Sequence, residues 1–458
     1  MSFRQKIKKI IPSNLFEKVA PYGHLLESVF YQTTNGFPAK NLKVIGVTGT
    51  DGKTSTSTMI AHVMRDSGKK VALLGTIDFD LGEGFQDNNS RLTTVGSKNL
   101  VKLLKKIKDN GCEYLVLETT SHALAEFRTW GVPYYIVAMT NIGHEHLDYH
   151  KTFENYRDAK LKLFKLANKN SKGLRIGLVN AEDPRAELFA ANIEKSITYG
   201  IKMGDLTPSN LKLKGSGSSY NLKFSDKGKD HNLKIKLNLP GEFNVSNSLA
   251  AVGICSNLGL SDKQIEQGFE SLTGVKGRMQ SIDEGQDFDL VIDYAHTPDS
   301  FEKIFKMFKT IAKGRIIAVF GSAGRRDEEK RAKQGEVAAR YSDIVIATEE
   351  DDRDQDGFKI LQQIASGAKK HGKKQGLDLL LIHKREDAVK RAIQMAKKGD
   401  LVLLLGKGHE QSILTNKPGL NLSPNEVFDE EEHTLKRDYN EEQVARKYLK
   451  LKVKGDLK

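Results

Sequence analysis

The run Gly46-Val47-Thr48-Gly49-Thr50-Asp51-Gly52-Lys53-Thr54-Ser55 holds the residue types of a phosphate site. It joins a nearly continuous apolar stretch, Leu42–Thr48, to a helical pattern from about Thr54 to Asp66. Glycines let backbone N–H groups close around phosphate oxygens, and the positive end of the following helix points at them. Lys53 is placed to reach β- and γ-phosphates, and the Thr54 hydroxyl to bind Mg²⁺. The strict G-x-x-x-x-G-K-[ST] form fails at one position, since Val47 stands where its first glycine belongs. A glycine turn without a ligand has no need of Gly-Lys-Thr between a strand and a helix. The residues Gly49, Thr50, Asp51, Gly52, Lys53, Thr54 and Ser55 therefore read as a triphosphate loop.

A second apolar run, Tyr114–Glu118, ends in a carboxylate and continues as Thr119-Thr120-Ser121-His122. In an open α/β sheet, strand ends on the edge of the phosphate loop line the ligand crevice, so Glu118 is placed to share Mg²⁺ with Thr54. The bland alternative is a solvated loop carboxylate. A third run, Tyr135–Thr140, leads into Asn141-Ile-Gly-His144-Glu145-His146-Leu-Asp148-Tyr149-His150. Three histidines so close raise a zinc reading. A catalytic zinc wants a fixed three-ligand set and an open position, and a triphosphate already accounts for a hard-metal centre. A single histidine beside carboxylates on a second Mg²⁺ fits better, with His144 and His150 structural.

These segments need a scaffold of parallel strands, and the pattern supplies one. Strands are expected at Leu42–Thr48, Val71–Leu74, Tyr114–Glu118 and Tyr135–Thr140, with helices near Ser97–Asp109 and Phe153–Ala167 between them. Alternating apolar and polar residues at Leu211–Lys214, Tyr220–Phe224 and Leu233–Leu239 read as antiparallel hairpins extending an edge. Helices follow at about Asn244–Leu258 and Asp262–Ser271, then a hinge at Gly274-Val275-Lys276-Gly277. From residue 278 the alternation restarts, with strands at Leu290–Asp293, Ile316–Phe320, Ile344–Ala347, Leu377–Ile382 and Leu401–Leu405. The expected fold is α/β: a parallel-sheet ATPase domain with antiparallel edge hairpins, then a Rossmann-like domain. The boundaries are 1–42 for a short helical arm and linker, 43–276 for the ATPase domain and 277–458 for the last.

The 458 residues match about three domains at roughly 150 residues each. The formal net charge of +13 is spread along the chain, the mark of solvated faces. No recognition helix or aromatic-rich basic strand supports nucleic acid. No apolar run approaches the ~20 residues of a membrane span, and the basic start is too interrupted for a secretory signal. Two cysteines, Cys112 and Cys255, exclude a disulfide scaffold or a multi-cysteine metal site and fit a reducing cytoplasm. The last part of the chain carries an acidic run, Asp429–Glu432.

As an ordered set, the motifs resemble the ATP-dependent Mur ligase family. They comprise the phosphate loop, Glu118-Thr-Thr-Ser-His122, Thr140-Asn-Ile-Gly-His-Glu-His-Leu-Asp-Tyr-His150, Tyr156-Arg-Asp-Ala-Lys160, Leu239-Pro-Gly-Glu-Phe-Asn244-Val-Ser-Asn247, Gly277-Arg278-Met279, Asp293-Tyr-Ala-His296-Thr-Pro298-Asp299 and Gly406-Lys-Gly-His409-Glu410. The similarity spans about residues 30–412 and is greatest to the UDP-N-acetylmuramoyl-tripeptide synthetase branch. The resemblance implies that the D-glutamate carboxylate of UDP-N-acetylmuramoyl-L-alanyl-D-glutamate is activated by ATP as an acyl phosphate, which the amine of a third amino acid attacks, in peptidoglycan precursor synthesis. It implies two Mg²⁺, Lys53 and Arg278 neutralising the approaching anions, and Lys160 carbamylated by CO₂ to serve with His146 and Glu118 on the second Mg²⁺. Asn247 would contact adenine, and Asp293 and His296 the nucleotide, with domain closure assembling the site. Thr93, Thr94, Thr120, Ser121 and Arg128 would bind the muramoyl dipeptide, although Leu92 and Thr120 replace a more usual Asn and Ser. Arg326, Arg353, Gly406 and Glu410 would bind the incoming amino acid.

Glu350-Asp351-Asp352-Arg353 stands where diaminopimelate-adding relatives have D-N-P-R, keeping the arginine that would clamp a distal carboxylate. The expectation is meso-diaminopimelate ahead of L-lysine. Members of this branch also carry an N-terminal domain that holds UDP; the 42 residues before the first strand cannot bury such a core, so UDP is expected to be held differently or the donor to differ. A monomer acting on small molecules in the cytoplasm is expected. The competing expectations are another acyl-phosphate ligase, of folylpolyglutamate or cyanophycin-synthetase type, and a non-catalytic nucleotide-binding regulator.

Overall fold

Apolar runs that fail to alternate are buried on both faces, and here they pair in parallel. The computed structural model describes residues 13–87, 93–143, 145–214, 217–226, 228–417 and 433–457; for 13–21, 78, 85–87 and 148 it describes the backbone alone. The chain divides into two compact units. The first runs to Leu213 and resumes over Gly217–Thr273, and the second runs from Gly274. Asp429–Glu432 lies outside the described residues.

The first unit is built on β1 (Lys43–Thr48), β2 (Val71–Leu74), β3 (Asp78–Asp80), β4 (Phe85–Asp87), β5 (Tyr114–Glu118), β6 (Tyr134–Met139), β7 (Ile176–Asn180) and β8 (Lys195–Tyr199). They form one sheet in the order β4-β3-β2-β5-β1-β6-β7-β8. Six of the eight strands run parallel, and β3 and β4 close one edge antiparallel. Parallel pairing has a direct consequence for chemistry. The C-terminal ends of β1, β2, β5, β6, β7 and β8 all open on one edge. Thr50, Thr76, Glu118, Thr140, Asn180 and Tyr199 sit at or just past those ends. Helices Lys53–Asp66, Ser97–Asp109 and Phe153–Lys169 cover the sheet, burying Leu100, Leu104, Leu115, Tyr134, Leu163 and Phe164 in one cluster. Truncating such a leucine to alanine costs about 2–5 kcal/mol.

Alternation is clean where it was expected. Along β11 (Lys229–Leu237), reached through β9 (Pro208–Lys214) and β10 (Gly217–Asp226), burial switches at every residue from His231 on. These three strands make a separate sheet, β11-β10-β9, rather than lengthening the main one. Helix Asp262–Ser271 packs on β11. It is started by a capping box between Ser261 and Gln264.

The second unit has β12 (Gln280–Ser281), β13 (Asp289–Asp293), β14 (Ile316–Phe320), β15 (Ile344–Ala347), β16 (Leu379–Leu381) and β17 (Leu401–Leu405), in the order β12-β13-β17-β14-β15-β16. All but the short β12 are parallel. A ribbon of β18 (Ser412–Asn416) and β19 (Thr434–Asp438) pairs antiparallel. Helix Glu441–Val453 packs on helix Arg385–Met395. Among the described residues no helix is long and apolar enough to cross a membrane.

Candidate active site

The loop after β1 is shaped by two glycines. Gly52 has φ 82°, and a Cβ there would lie 2.4 Å from Asn247 Oδ1. Gly49 has φ 151°, and a Cβ there would lie 1.8 Å from Thr140 Oγ1. Only glycine satisfies both the backbone and the space. Lys53 opens the helix that follows and curls over the loop, its Nζ donating to Gly49 O at 2.9 Å and Thr50 O at 2.8 Å. Thr54, one residue on, donates from its hydroxyl to Glu118 Oε2 at 3.0 Å. The end of β5 and the start of this helix therefore meet. The nearly buried Asn247 borders the loop at Gly52 from helix Glu242–Asn257.

Glu118 is almost fully buried, and both its oxygens are engaged. Thr76 donates its backbone N–H to Oε1 at 3.1 Å and its hydroxyl to Oε2 at 2.8 Å. The Thr76 hydroxyl is also 3.0 Å from that of Thr93. Thr94 donates to Glu118 O at 2.8 Å and receives the Thr120 N–H at 3.2 Å. Arg128 donates to Thr94 O at 3.0 Å while pairing with Glu126. Ser121 Oγ lies 3.0 Å from His150 Nε2. Of the five residues expected at the dipeptide, Thr93 reaches the Glu118 carboxylate through Thr76, Thr94 holds the Glu118 backbone, Thr120 and Arg128 bond to Thr94, and Ser121 meets His150. Leu92 lies outside the described residues.

On the loop's other side, Lys160 is buried and donates from Nζ to Gly49 O at 2.5 Å, the carbonyl that Lys53 also uses. Its ammonium stands 4.6 Å from the Tyr156 ring centroid. Burial, then repulsion from Lys53, hold its pKa well below the ordinary lysine value of 10.5, with Glu145 and Asp51 opposing. The Tyr156 hydroxyl is 2.8 Å from that of Thr50. His146 has φ 55° and is partly exposed; its Nε2 lies 3.6 Å from Glu145 Oε2, and its ring is edge-on to His122 at 4.6 Å and 6.3 Å from Tyr156. His122, Tyr149 and His150 complete the aromatic cluster. His144 lies outside the described residues.

In the second unit, Gly277 has φ 62°, and a Cβ there would lie 2.4 Å from His409 N, so two motifs meet backbone to backbone. The Arg278 guanidinium lies 4.6 Å from the Tyr294 ring centroid. Asp293, at the end of β13, accepts the N–H groups of Met279 and Ala295, each at 2.7 Å. His296 Nδ1 is 3.0 Å from Tyr294 O. Beyond β17, Lys407 is fully buried between Glu410 at 2.5 Å and Asp351 at 3.1 Å. Burial pushes the Glu410 carboxyl up, Lys407 pulls against it, and Asp351 pushes it further up. Gly406, at φ 101°, leaves room for Glu350, whose Oε2 would be 2.8 Å from a Cβ there. Arg353 is buried and donates to Gly324 O at 2.8 Å; its own N–H reaches Leu414 O, while Leu414 N donates to Asp351. Arg326 is exposed, outside this bonded group.

Three residues of these sites were given no role from the sequence: Thr76, Tyr156 and Lys407. Thr76 had a signal, because it follows the β2 strand end on the same edge as Glu118. Tyr156 and Lys407 lay inside motifs whose flanking residues drew the attention.

Two family descriptions match the chain, the Mur ligase middle domain over residues 47–255 and the Mur ligase glutamate ligase domain over residues 277–408. The UDP-N-acetylmuramyl-tripeptide synthetase of Roseiflexus sp. (strain RS-1) is 39% identical over 401 residues, 85% of this chain and 77% of that one. The UDP-N-acetylmuramoyl-L-alanyl-D-glutamate–2,6-diaminopimelate ligase 1 of Clostridium acetobutylicum is 35% identical over 429 residues, 93% of this chain and 85% of that one. A solved structure of a UDP-N-acetylmuramoyl-L-alanyl-D-glutamate–2,6-diaminopimelate ligase superposes with TM-score 0.62 at 27% identity, covering 95% of this chain and 83% of that one. With both family domains in order and a phosphate loop at the edge of a parallel sheet, the chain belongs to the Mur ligase family of ATP-dependent ligases.

Proposed function

We propose that the protein adds the third amino acid to UDP-N-acetylmuramoyl-L-alanyl-D-glutamate. The observation that carries this reading is the arrangement at Gly49. Lys53 and the buried Lys160 both clasp its carbonyl, and the next turn hands the Thr54 hydroxyl to Glu118. The D-glutamate carboxylate attacks the γ-phosphorus of ATP; an O–P bond forms as the bond to ADP breaks, and ADP leaves with the electron pair. The amine of the third amino acid attacks the acyl phosphate carbon. The tetrahedral adduct expels phosphate, the nitrogen loses a proton, and an amide remains. Lys53 and the loop N–H groups hold the triphosphate, and Arg278 is assigned to the charge that develops on transfer. Asn247, Asp293 and His296 are assigned to the nucleoside. Thr93, Thr94, Thr120, Ser121 and Arg128 are assigned to the dipeptide.

The donor set suits Mg²⁺. Glu118 and Thr54 offer hard oxygens already in contact; His146 is assigned with Glu118 and a carbamylated Lys160 to a second Mg²⁺. Mg²⁺ held there supplies positive charge between two anions that must meet. Lys160 suits a carbamate because burial and the nearby Lys53 hold its pKa well below the ordinary lysine value, which favours the unprotonated amine that attack on CO₂ requires. The N–C bond forms as one C=O π bond of CO₂ opens, an N–H proton is released, and a carboxylate-like group replaces the amine. The medium for this chemistry is the cytoplasm.

Two amino acids are in contention. Arg353 favours meso-diaminopimelate, whose distal carboxylate suits a guanidinium. L-lysine is the second reading. Buried Glu350 Oε2 and Asp352 Oδ1 have no hydrogen-bond partner among the described residues, and Arg353 is turned to Gly324 O. An ammonium would satisfy such carboxylates. Incubating enzyme, ATP and UDP-N-acetylmuramoyl-dipeptide with each amino acid, and following phosphate release, decides between them. No release with any muramoyl substrate rejects the proposal in favour of another acyl-phosphate ligase or a nucleotide-binding regulator.

A further inference from the structure

The segment Met139–Gly143, which leaves the end of β6, is bonded on two sides. Toward the phosphate loop, Asn141 O accepts Thr50 N at 2.8 Å, and the Asn141 amide exchanges two bonds of 3.0 Å with the Asp51 backbone. The Thr140 hydroxyl donates to Asp51 O at 2.6 Å, and Gly143 N donates to Thr50 Oγ1 at 2.8 Å. On the far side, β7 and β8 hold the same segment. Tyr199 Oη donates to Met139 O at 3.0 Å, and Asn180 Nδ2 donates to Thr140 O at 2.8 Å. Asp183 Oδ2 accepts Ile142 N at 2.6 Å, while its Oδ1 accepts Arg185 N at 2.9 Å. Asp183 is 8% exposed and Tyr199 is fully buried, so water does not replace these bonds readily.

We infer that Asp183 and Asn180 are positioning residues for the phosphate loop: they fix the strap Met139–Gly143, and the strap fixes the backbone of Thr50 and Asp51. The inference rests on reading that loop as the triphosphate site. The strap takes up the Thr50 and Asp51 N–H groups, and by fixing that turn it sets the direction of the N–H groups that follow at the helix start, which must be aimed before a phosphate arrives. Within the loop, Lys53 holds the Gly49 and Thr50 carbonyls; five bonds from the strap fix Thr50 and Asp51, and the strap's own backbone is held by three side chains from two other strand ends. The strap also leads directly into Glu145 and His146, so a displacement there reaches both sides of the site.

Isosteric exchange tests this without emptying volume. Asp183→Asn turns an amide NH₂ toward one of two N–H donors. Asn180→Asp sets a carboxylate oxygen against Thr140 O. The control is Ile176→Val, a buried position at the opposite end of β7. Mg-ADP binding by titration calorimetry, KM for ATP, KM for the amino acid and the thermal midpoint are measured for each. The expected result is Mg-ADP binding at least tenfold weaker and a KM for ATP raised in step in both exchange variants, with the amino-acid KM unchanged. The control should lose thermal stability and keep its Mg-ADP affinity. Should Asp183→Asn not fold, Tyr199→Phe removes only the bond to Met139 O and is expected to weaken Mg-ADP about threefold, as the loss of one neutral hydrogen bond does. Wild-type affinity in the folded variants overturns the inference, as does an equal loss in Ile176→Val. Wild-type protein that binds no Mg-ADP overturns the reading of the loop, and the inference with it.

Discussion

A lysine sealed beneath a phosphate loop is an expensive arrangement unless its charge is removed. Lys160 meets one carbonyl, one aromatic face and the repulsion of Lys53. Replacing it with alanine is expected to lower ligation at least 100-fold, and formate, acetate or propionate should restore part of the rate by standing in for the carbamate. An arginine at 160 should not be rescued, because its bulk fills the space. Unchanged turnover in Lys160→Ala removes the carbamate from the proposal. The shift also predicts a pH dependence. In CO₂-free buffer the folded-state pKa lies below the unfolded value of 10.5. Between the two the unfolded chain binds more protons, so stability rises with pH through that window and falls as pH drops through the folded value. Urea midpoints for wild type and Lys160→Met should converge as pH approaches 10.5, since the methionine variant lacks the group that titrates.

At the scale of elements, a buried pair ties helix Glu441–Val453 to the start of helix Arg385–Met395. Arg385 opens its helix and donates to both oxygens of Glu441, at 2.9 and 2.6 Å, and to Leu405 O at 2.8 Å. Both side chains are fully buried, and Tyr439 donates to the same carboxylate. Glu441→Gln leaves a guanidinium without its counter-charge and is expected to cost about 3–5 kcal/mol. The denaturant midpoint of the second unit checks this. That pair illustrates what sequence withholds: Arg385 and Glu441 are far apart in the chain, and no local pattern joins them. Most of the buried parallel strands were legible because runs such as Tyr114–Leu117 and Leu401–Leu405 are apolar throughout, whereas β7, Ile176–Asn180, equally buried and parallel, was not among the expected strands. The alternating hairpin residues told the strand type but not the sheet, since period two says which face is buried and not which neighbour is paired. The edge strand β8 and the ribbon of β18 and β19 are short and half polar, and left no comparable trace. In the site, the phosphate loop and Glu118 follow from motif and strand end. Thr76 and Asp183 act through contacts made only after the sheet has formed.

At the scale of the molecule, the two units carry separate cores, one around Leu115 and Phe164 and the other around Ile292, Val319 and Leu404. The chain's single tryptophan, Trp130, belongs to the first, where it packs 6.0 Å from Phe37. Its fluorescence therefore follows the unfolding of the unit that holds the phosphate loop, while calorimetry follows both. A ligand that binds only the folded state stabilises it by about 2.7 kcal/mol at 100 times its Kd. For a unit of this size that corresponds to a midpoint shift of roughly 5 to 10 °C. Mg-ADP is expected to raise the Trp130 midpoint by this amount in wild type and to leave it nearly unmoved in Lys53→Ala, whose loop lacks its cation. A Trp130 midpoint indifferent to Mg-ADP in wild type would place the nucleotide elsewhere, and the assignments of Lys53, Thr54 and Asn247 would fall together.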